Sequence, residues 1–373
     1  MRYAVFGVGR QGTAVVWDLI ERCGATRVIA FDIDPRVMQR VHDALGSRAA
    51  AVEFHPLSPA READAPRIVE RIGRCAVVIG ALPYALNPAL TRLCLQARVP
   101  LCDLGGNPDV VAEQRRMADG STLVSPDCGL APGLNNILAV YLLRTHGVDS
   151  ARAFCGGLPA RRDPANPLDY KLLFSAAGLI SEYSGRCAVL RGGRVEFVEA
   201  LTGREDLPGD REAFFTSNNS PLTFEGLAAE GLRDYEYRTV RWRGHLEKAL
   251  LLKHLGFFRG DRELDAALAA GLERQESLRF DRRRDVDEVF LRVEGRTAAG
   301  AVHALEMTVR GNESFTAMEQ TTAWGITIPA LWITAGARSA GATVPAGCAP
   351  PERWVDPGWA LEELRRRTPV RQT

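Results

Sequence analysis

The sequence is short of lysine, of net charge and of long apolar runs. Only three of its 47 basic residues are lysines, namely Lys171, Lys248 and Lys253. Basic and acidic residues nearly balance, 47 against 46, which gives a formal net charge of +1. Without net charge a protein has no long-range field to attract nucleic acid or anionic lipid. We therefore expect neither nucleic acid nor a membrane surface among its partners.

The eight cysteines form no CxxC pair, and several lie within apolar runs such as CAVVIG at 75–80. This pattern is typical of reduced core thiols in a cytosolic protein. No apolar run reaches about 18 residues and no signal peptide is visible, so we expect a cytoplasmic protein without a membrane span. The six histidines form neither HExxH nor a Cys/His cluster, so no metal site is predicted.

The first part of the chain alternates short β-rich runs with amphipathic helical segments, a pattern typical of parallel βαβ units. The six predicted strands lie at 2–7, 27–33, 51–55, 75–82, 100–104 and 121–125. Six such strands with helices between them fit a doubly wound parallel sheet, the Rossmann fold. After a predicted helix at 133–146, hairpin-like strands mix with helices and indicate a mostly antiparallel second domain.

A GxGxxG motif follows the first predicted strand and opens the first helix; its residues are Gly7, Val8, Gly9, Arg10, Gln11 and Gly12. The first glycine permits a tight turn, the second a close approach to a pyrophosphate, and the third close packing of helix on strand. Asp32 lies at the end of the second strand, where a carboxylate can accept hydrogen bonds from the adenosine ribose. That carboxylate would repel a 2′-phosphate, and the residue after it, Ile33, is not an arginine that could bind one. The sequence therefore predicts NAD and not NADP.

In an open doubly wound sheet the ligand lies beyond the carboxyl ends of the strands. The residues predicted to lie there are Ala81, Leu82, Pro83 and Tyr84 after the fourth strand, Asp103 after the fifth, and Asp127, Gly129, Leu130 and Ala131 after the sixth. We expect two acids and a tyrosine to converge near the nicotinamide. The alternative is that Asp103 and Asp127 only cap the segments that follow them.

A cationic cluster marks the second domain. The run at 237–245 ends a predicted strand, breaks at Gly244 and enters a helix on which His245 and Lys248 share one face. Together with Arg243, this cluster could hold a substrate carboxylate. A solvated basic strand edge is the alternative.

Four motifs together resemble the saccharopine dehydrogenase superfamily: ALPY, CDLGG and PDCGLAPGLNN after the last three predicted strands, and YRTVRWRGHLEK in the second domain. Within that superfamily, residues 156–159, 167–183 and 316–324 resemble the bacterial and archaeal L-lysine 6-dehydrogenases. The resemblance implies an NAD-binding Rossmann domain at 1–132 and an inserted α+β domain for substrate binding and oligomerisation at 133–312. It also implies C-terminal helices at 313–373 that pack back on the Rossmann domain, and a homodimer or homotetramer.

The same resemblance implies oxidative deamination of an amino acid side-chain amine. For L-lysine the product would be the 6-semialdehyde, which cyclises to 1-piperideine-6-carboxylate, with NADH and ammonia. Two features depart from the lysine dehydrogenase pattern. Residues 216–219 read TSNN in place of a glycine-rich stretch, and Lys171 places near the expected substrate pocket a cation that would disfavour a substrate ammonium.

Amine oxidation needs a group that removes a proton before a hydride passes to the nicotinamide. His245 is the expected base because an ordinary histidine has a pKa of about 6.5. Asp103 is expected to stabilise the cationic intermediates and Tyr84 to position the amine. Arg243, Lys248 and Lys171 are the predicted substrate contacts.

Two other functions stay open. Reductive condensation, as in saccharopine reductase or carboxynorspermidine synthase, would normally use NADPH, which Asp32 disfavours. A non-catalytic NAD-binding scaffold or sensor would keep the fold without turnover.

Overall fold

A computed structural model describes residues 1–163, 166–217 and 220–373 of the chain. Its strands are β1 (Arg2–Phe6), β2 (Arg27–Phe31), β3 (Val52–His55), β4 (Val77–Gly80), β5 (Leu101–Asp103), β6 (Leu123–Ser125), β7 (Val148–Pro159), β8 (Arg186–Arg191), β9 (Arg194–Glu199), β10 (Glu205–Leu207), β11 (Arg211–Phe214), β12 (Asp234–Trp242), β13 (Asp287–Thr297), β14 (Val302–Arg310), β15 (Gly347–Cys348) and β16 (Arg371–Gln372). Its α-helices are α1 (Arg10–Glu21), α2 (Val37–Leu45), α3 (Ala65–Ile72), α4 (Asn87–Ala97), α5 (Pro108–Met117), α6 (Leu134–His146), α7 (Ala176–Tyr183), α8 (Pro221–Glu230), α9 (His245–His254), α10 (Arg262–Arg274), α11 (Ala317–Leu331), α12 (Ala337–Ala340) and α13 (Pro357–Arg365).

The chain forms two compact units. The nucleotide unit, as we call the first, comprises residues 1–137 and 319–367. The inserted unit comprises residues 138–318 and 368–373. The second unit is thus an insertion, and the chain returns to the first unit after it.

The nucleotide unit contains a seven-stranded parallel sheet in the order β15-β6-β5-β4-β1-β2-β3. All six predicted strands form, and β15 adds a two-residue edge strand beside β6. The strands are apolar runs because both faces of a parallel sheet are covered by helices. Four of the five residues of β1 and of β2, and all four of β4, are buried. The predicted α/β doubly wound fold is confirmed.

The returning C-terminal segment belongs to the core of the nucleotide unit. The side chains of Arg367 and Asp18 are each 1% exposed, and they pair at 3.1 Å between Nη2 and Oδ2. The Thr327 hydroxyl donates to the same carboxylate at 2.6 Å. A Cβ on Gly325 would lie 2.2 Å from the Gly129 carbonyl oxygen, so a glycine is required where α11 crosses that loop.

The inserted unit is built on a mixed sheet with the main order β10-β11-β12-β7-β13-β14-β16, joined by the β8-β9 hairpin, which pairs with β12. Among the described strands only β12 and β7 pair in parallel, so the sheet is mostly antiparallel. The structure contains five elements that the sequence did not predict, namely the short strands β10 and β11 and the helices α7, α8 and α10. Each of them contacts other parts of the inserted unit.

No helix in the described ranges is both long and apolar enough to cross a bilayer. The same ranges contain no group of three or more His, Cys, Asp or Glu side chains arranged to hold a metal ion. All eight cysteines are free thiols, and seven of them are buried.

Candidate active site

The glycine motif forms a cradle between β1 and α1. Gly7 has a φ of +81°, and a Cβ there would lie 2.6 Å from the Ala81 carbonyl oxygen. A Cβ on Gly12 would lie only 1.8 Å from the Gly7 carbonyl oxygen, so the start of α1 packs directly on the loop. A Cβ on Gly9, in contrast, would meet nothing within 4 Å. The middle glycine therefore faces open space at the N-terminus of a helix, where a phosphate binds well.

Asp32 is tied to this cradle from the end of β2. Its Oδ2 accepts from the Val8 N–H at 2.8 Å and its Oδ1 from the Asp34 N–H at 3.0 Å. These two bonds fix the carboxylate beside the loop and leave lone pairs for further donors, because a carboxylate has about four acceptor sites. Ile33, the next residue, is 61% exposed, an apolar surface suited to the face of an adenine ring.

The cradle fits a dinucleotide in two further respects. The Oε1 atom of Gln11 is buried and has no hydrogen-bond partner among the described residues. The Arg10 side chain is turned away into an ion pair with buried Glu319, at 3.0 Å between Nε and Oε1. Val8, Gly9 and Gln11 would thus face the pyrophosphate and Asp32 the ribose.

The loop after β4 borders the cradle. The Ala81 N–H donates to the Phe6 carbonyl at 2.8 Å, which joins the ends of β4 and β1. Leu82 packs against the core of the nucleotide unit, and Pro83 precedes the helical turn Tyr84–Leu86. Tyr84 is 39% exposed, so this residue is accessible at the edge.

Asp103 ends β5 inside a closed hydrogen-bond network. Its Oδ1 accepts from Asn87 Nδ2 at 2.9 Å and from the Gly105 N–H at 2.8 Å, and its Oδ2 accepts from Gln114 Nε2 at 2.6 Å. Burial raises the pKa of Asp103 to about 7, against these hydrogen bonds and with a small contribution from Asp127. Asp103 is fully buried, so it holds the loop after β5 from within.

The loop after β6 lies against the loop after β5. A Cβ on Gly105 would lie 2.0 Å from Asp127 Oδ1, and Asp127 itself adopts a φ of +59°. The Gly129 N–H donates to the Pro132 carbonyl at 2.8 Å. Leu130 is buried and Ala131 half-buried. The two acids therefore lie close together at the carboxyl edge of the sheet.

In the inserted unit His245 does not have the freedom that a general base needs. It is 1% exposed, its Nδ1 lies 2.8 Å from the Leu168 carbonyl oxygen, and its Nε2 lies 2.7 Å from the Tyr183 hydroxyl. Burial and the nearby Arg241 guanidinium lower the pKa of His245 to about 3. Both ring nitrogens are occupied, so the structure argues against our prediction that His245 is the base.

The three predicted substrate cations already have carboxylate partners. Lys248 Nζ lies 2.8 Å from Asp169 Oδ2, and Lys171 Nζ lies 3.5 Å from Asp285. Arg243, with a side chain 45% exposed, pairs with Asp206 at 3.2 Å and with Asp210 at 3.4 Å. All three cations form ion pairs within the inserted unit. This arrangement is closer to the alternative interpretation, a solvated basic strand edge, than to a site that holds a substrate carboxylate. Two residues of the TSNN segment at 216–219, Asn218 and Asn219, lie outside the described residues.

The structure instead reveals a buried cation that sequence reasoning missed. Arg241 lies on β12 on the same face as Tyr237 and Thr239, and it is 3% exposed. Its Nε donates to the Tyr183 hydroxyl at 3.1 Å and its Nη2 to Glu182 Oε2 at 3.4 Å. The sequence did contain one indication of this cation. Arg241 follows Tyr237 and Thr239 at every second position of a predicted strand, so it lies on their buried face, where an unpaired charge is costly.

The fold and the cradle define a dinucleotide-binding protein of the Rossmann class with a second domain inserted. Residues 3–124 match the family model for the saccharopine dehydrogenase NADP binding domain, and residues 129–368 match that for the saccharopine dehydrogenase C-terminal domain. The chain belongs to the saccharopine dehydrogenase family, which confirms the resemblance drawn from its motifs.

Curated relatives match about half of this chain. Mitochondrial alpha-aminoadipic semialdehyde synthase from mouse (Mus musculus) is 27% identical over 187 residues, which cover 47% of this chain and 20% of that protein. Saccharopine dehydrogenase [NADP(+), L-glutamate-forming] from Saccharomyces cerevisiae is 26% identical over 201 residues, which cover 50% and 44% of the two chains. The matched region thus spans less than half the length of either relative.

Two solved structures share the fold over the whole chain. The apo saccharopine dehydrogenase (L-Glu forming) from Saccharomyces cerevisiae has a TM-score of 0.70 at 15% identity, and the match covers 100% of this chain and 99% of that one. The homospermidine synthase from Legionella pneumophila in complex with NAD has a TM-score of 0.62 at 14% identity, with 100% and 91% covered. At such identities the likeness establishes the fold.

Proposed function

We propose that this protein is an NAD-dependent dehydrogenase that oxidatively deaminates the side-chain amine of an amino acid, with L-lysine as the first candidate. The observation that carries the proposal is the Asp32 carboxylate held at the glycine cradle by the Val8 and Asp34 N–H groups. It supports a nicotinamide dinucleotide whose adenosine ribose carries free hydroxyls. Membership of the saccharopine dehydrogenase family supports an amino acid as the substrate.

The charge of Asp32 favours NAD over NADP. A 2′-phosphate next to Asp32 would place two like charges within a few ångströms of each other, which is unfavourable. The nearest cation along the chain, Arg36, is 88% exposed and already pairs with Asp34 at 2.8 Å. The matched family model is that of an NADP binding domain, so the choice of NAD is specific to this chain and rests on Asp32.

When bound, the nicotinamide supplies hydride acceptance, and the residues of the chain supply binding and proton transfer. We place the reacting amine at the carboxyl edge of the parallel sheet, where Tyr84 follows β4 and Asp103 ends β5. Tyr84 is 39% exposed and would contact the amine. Asp103 is fully buried and accepts three hydrogen bonds, so it would hold the loop after β5 in place and not take the proton itself.

Reductive condensation of an amino acid with a carbonyl compound is the second candidate. The observation in its favour is the name of two curated relatives, from Saccharomyces cerevisiae and Schizosaccharomyces pombe, each called saccharopine dehydrogenase [NADP(+), L-glutamate-forming]. The non-catalytic scaffold is the third. The predicted homodimer or homotetramer and the cytoplasmic location stay predictions.

A substrate screen tests the proposal. The purified chain is incubated with NAD or NADP and a panel of L-amino acids and diamines, and coenzyme reduction is followed. We expect NAD reduction with an amino acid that has a distal primary amine. No reduction with any amine, together with NADPH oxidation in mixtures of an amino acid and a keto acid or aldehyde, would favour the condensation reaction.

A further inference from the structure

Helix α10 packs one of its sides on the core of the inserted unit. Leu268, Ala269 and Leu272 lie on that side, among apolar side chains that also include residues of α7. The Asp261 side chain caps the first turn and so fixes where the helix begins. The orientation of α10 is therefore set by the fold, and so is the side that it turns to solvent.

The outer side of α10 is small and apolar at its centre and charged at its two ends. At 3.6 residues per turn, one line along the helix, opposite the packed side, contains Glu263, Ala267, Ala270 and Arg274. All four residues are exposed. Neither charged side chain has a hydrogen bond or an ion pair within the described part of the chain. Exposed helix faces are usually covered by polar side chains, so a bare centre between two charges calls for an explanation.

Gly271 flanks this line, and nothing in the described chain requires a glycine there. A Cβ on Gly271 would meet no atom within 4 Å, and the residue lies inside the helix. Glycine is unfavourable within a helix relative to alanine, and its usual benefit is a close approach of another backbone. No described part of this chain makes that approach. The glycine therefore indicates a backbone from outside the chain.

Three exposed leucines extend the apolar surface. Leu264 on α10 is 40% exposed, and Leu251 and Leu255 on α9 are 61% and 66% exposed. A Cβ on Gly256, just after α9, would lie 3.8 Å from Leu264 Cδ1, so the two helices are adjacent there. Exposed apolar side chains grouped in this way mark an interaction surface.

We propose that the outer side of α10 docks antiparallel on α10 of a second copy of this chain. Charge complementarity selects this partner. A two-fold axis between positions 268 and 269 places Glu263 opposite Arg274 of the second copy and Ala267 opposite its Ala270, and symmetry makes each contact twice. A parallel pair would place like charges together. The antiparallel pair also aligns the two helix dipoles favourably, and the small side chains let the helices approach closely. This inference lies within the inserted unit and is independent of the proposed reaction.

Charge reversal in the full chain tests the pairing. Sedimentation of the wild type over a range of concentrations should show association to at least a dimer. Glu263→Arg places like charges together at both ends of the interface and should raise the dissociation constant at least about tenfold, as should Arg274→Glu. The double variant should associate as the wild type does, because both pairs return with their signs exchanged. Glu273→Arg, an exposed charge reversal about a quarter turn away on the same helix, is the matched control and should have little effect.

Recovery in the double variant could not come from a more stable helix. Its exchanged charges oppose the helix dipole at both ends, so its α10 is the least stable of the series. Thermal unfolding checks that every variant is folded. A wild type that stays monomeric at all concentrations overturns the proposal and leaves this surface to a different partner. An assembly that Glu263→Arg leaves intact, or a double variant that stays dissociated, overturns it as well.

Gly271→Gln tests the close approach separately from the charges. Glutamine is a better helix former than glycine, and its side chain enters open space in the single chain, so the melting temperature of the monomer should not fall. The dissociation constant of the assembly should rise at least about tenfold, because the longer side chain keeps the two helices apart. An unaltered dissociation constant would show that no second helix lies against Gly271 and would overturn the proposal.

Discussion

At the scale of the residue, Asp32 carries the coenzyme preference. Replacing Asp32 by Ala removes the ribose acceptor and the repulsion of a 2′-phosphate, so the preference for NAD over NADP should narrow about tenfold or more. Titration of both coenzymes against the variant measures this. Asp43→Ala is the control, because that exposed carboxylate on α2 accepts from Gln39 at 2.8 Å and should leave the ratio unchanged. A wild type that binds both coenzymes equally would contradict the account.

His245 gives a second prediction at this scale, on stability and pH. Its pKa falls from an ordinary value of 6.5 to about 3 on folding, so the unfolded chain binds more protons between those values. The free energy of unfolding should therefore fall as the pH drops from about 6.5 toward 3, by up to ~1.4 kcal/mol per pH unit. His245→Gln should lack this loss, whereas His254→Gln, at an exposed position of the same helix, should retain it. Denaturant unfolding at several pH values is the measurement, and parallel curves for wild type and His245→Gln would contradict the burial argument.

A residue's role could be predicted where its contacts are close in the chain, and it could not where its partners are far away in the chain. The cradle could be predicted because Gly7, Gly9 and Gly12 all belong to one local turn. The position of Asp32 could be predicted as well, because it ends the second strand of the same βαβ unit. The partners of His245 lie 62 and 77 positions away in the chain, so nothing near residue 245 indicates that both ring nitrogens are occupied. Its exposure and its pKa could therefore not be read from sequence.

At the scale of the element, the contact between α1 and the glycine loop predicts opposite results for two alanine substitutions. Gly12→Ala forces a Cβ against the Gly7 carbonyl and should lower the melting temperature, because backbone must move. Gly9→Ala meets no atom within 4 Å, so it should keep the melting temperature and weaken NAD binding about tenfold or more. Thermal unfolding and NAD titration of both variants separate the two effects. Unaltered NAD affinity in Gly9→Ala would place the pyrophosphate elsewhere.

Elements with a strong burial pattern were predictable, and elements completed by distant contacts were not. β1, β2 and β4 are apolar runs because helices cover both faces of their sheet, and that requirement is visible in sequence. β10 has three residues and becomes a strand only by pairing with β11, which pairs with β12. Such short polar strands have no periodicity of their own.

At the scale of the whole molecule, the return of the chain after the inserted unit is secured by a buried ion pair. Arg367→Met removes the nearer cation of the buried Asp18 and leaves it Arg22 at 3.9 Å, and breaking a buried ion pair costs ~3 to 5 kcal/mol. Arg366→Ala is the control, because that neighbour is 74% exposed in its own ion pair and should have little effect. Denaturant unfolding of both variants measures the difference, and a loss below about 1 kcal/mol in Arg367→Met would show that the pair does not hold the segment.

The central claim, oxidation of an amino acid amine with NAD, is tested most directly by the stoichiometry of the reaction. The wild-type protein is incubated with NAD and L-lysine as the sole carbon substrate, and NADH and ammonia are measured together. The account predicts that both form in equal amounts and that NADP supports a slower reaction. If no ammonia is released and coenzyme turns over only when a keto acid or an aldehyde is supplied with the amino acid, the protein catalyses condensation and the account is wrong.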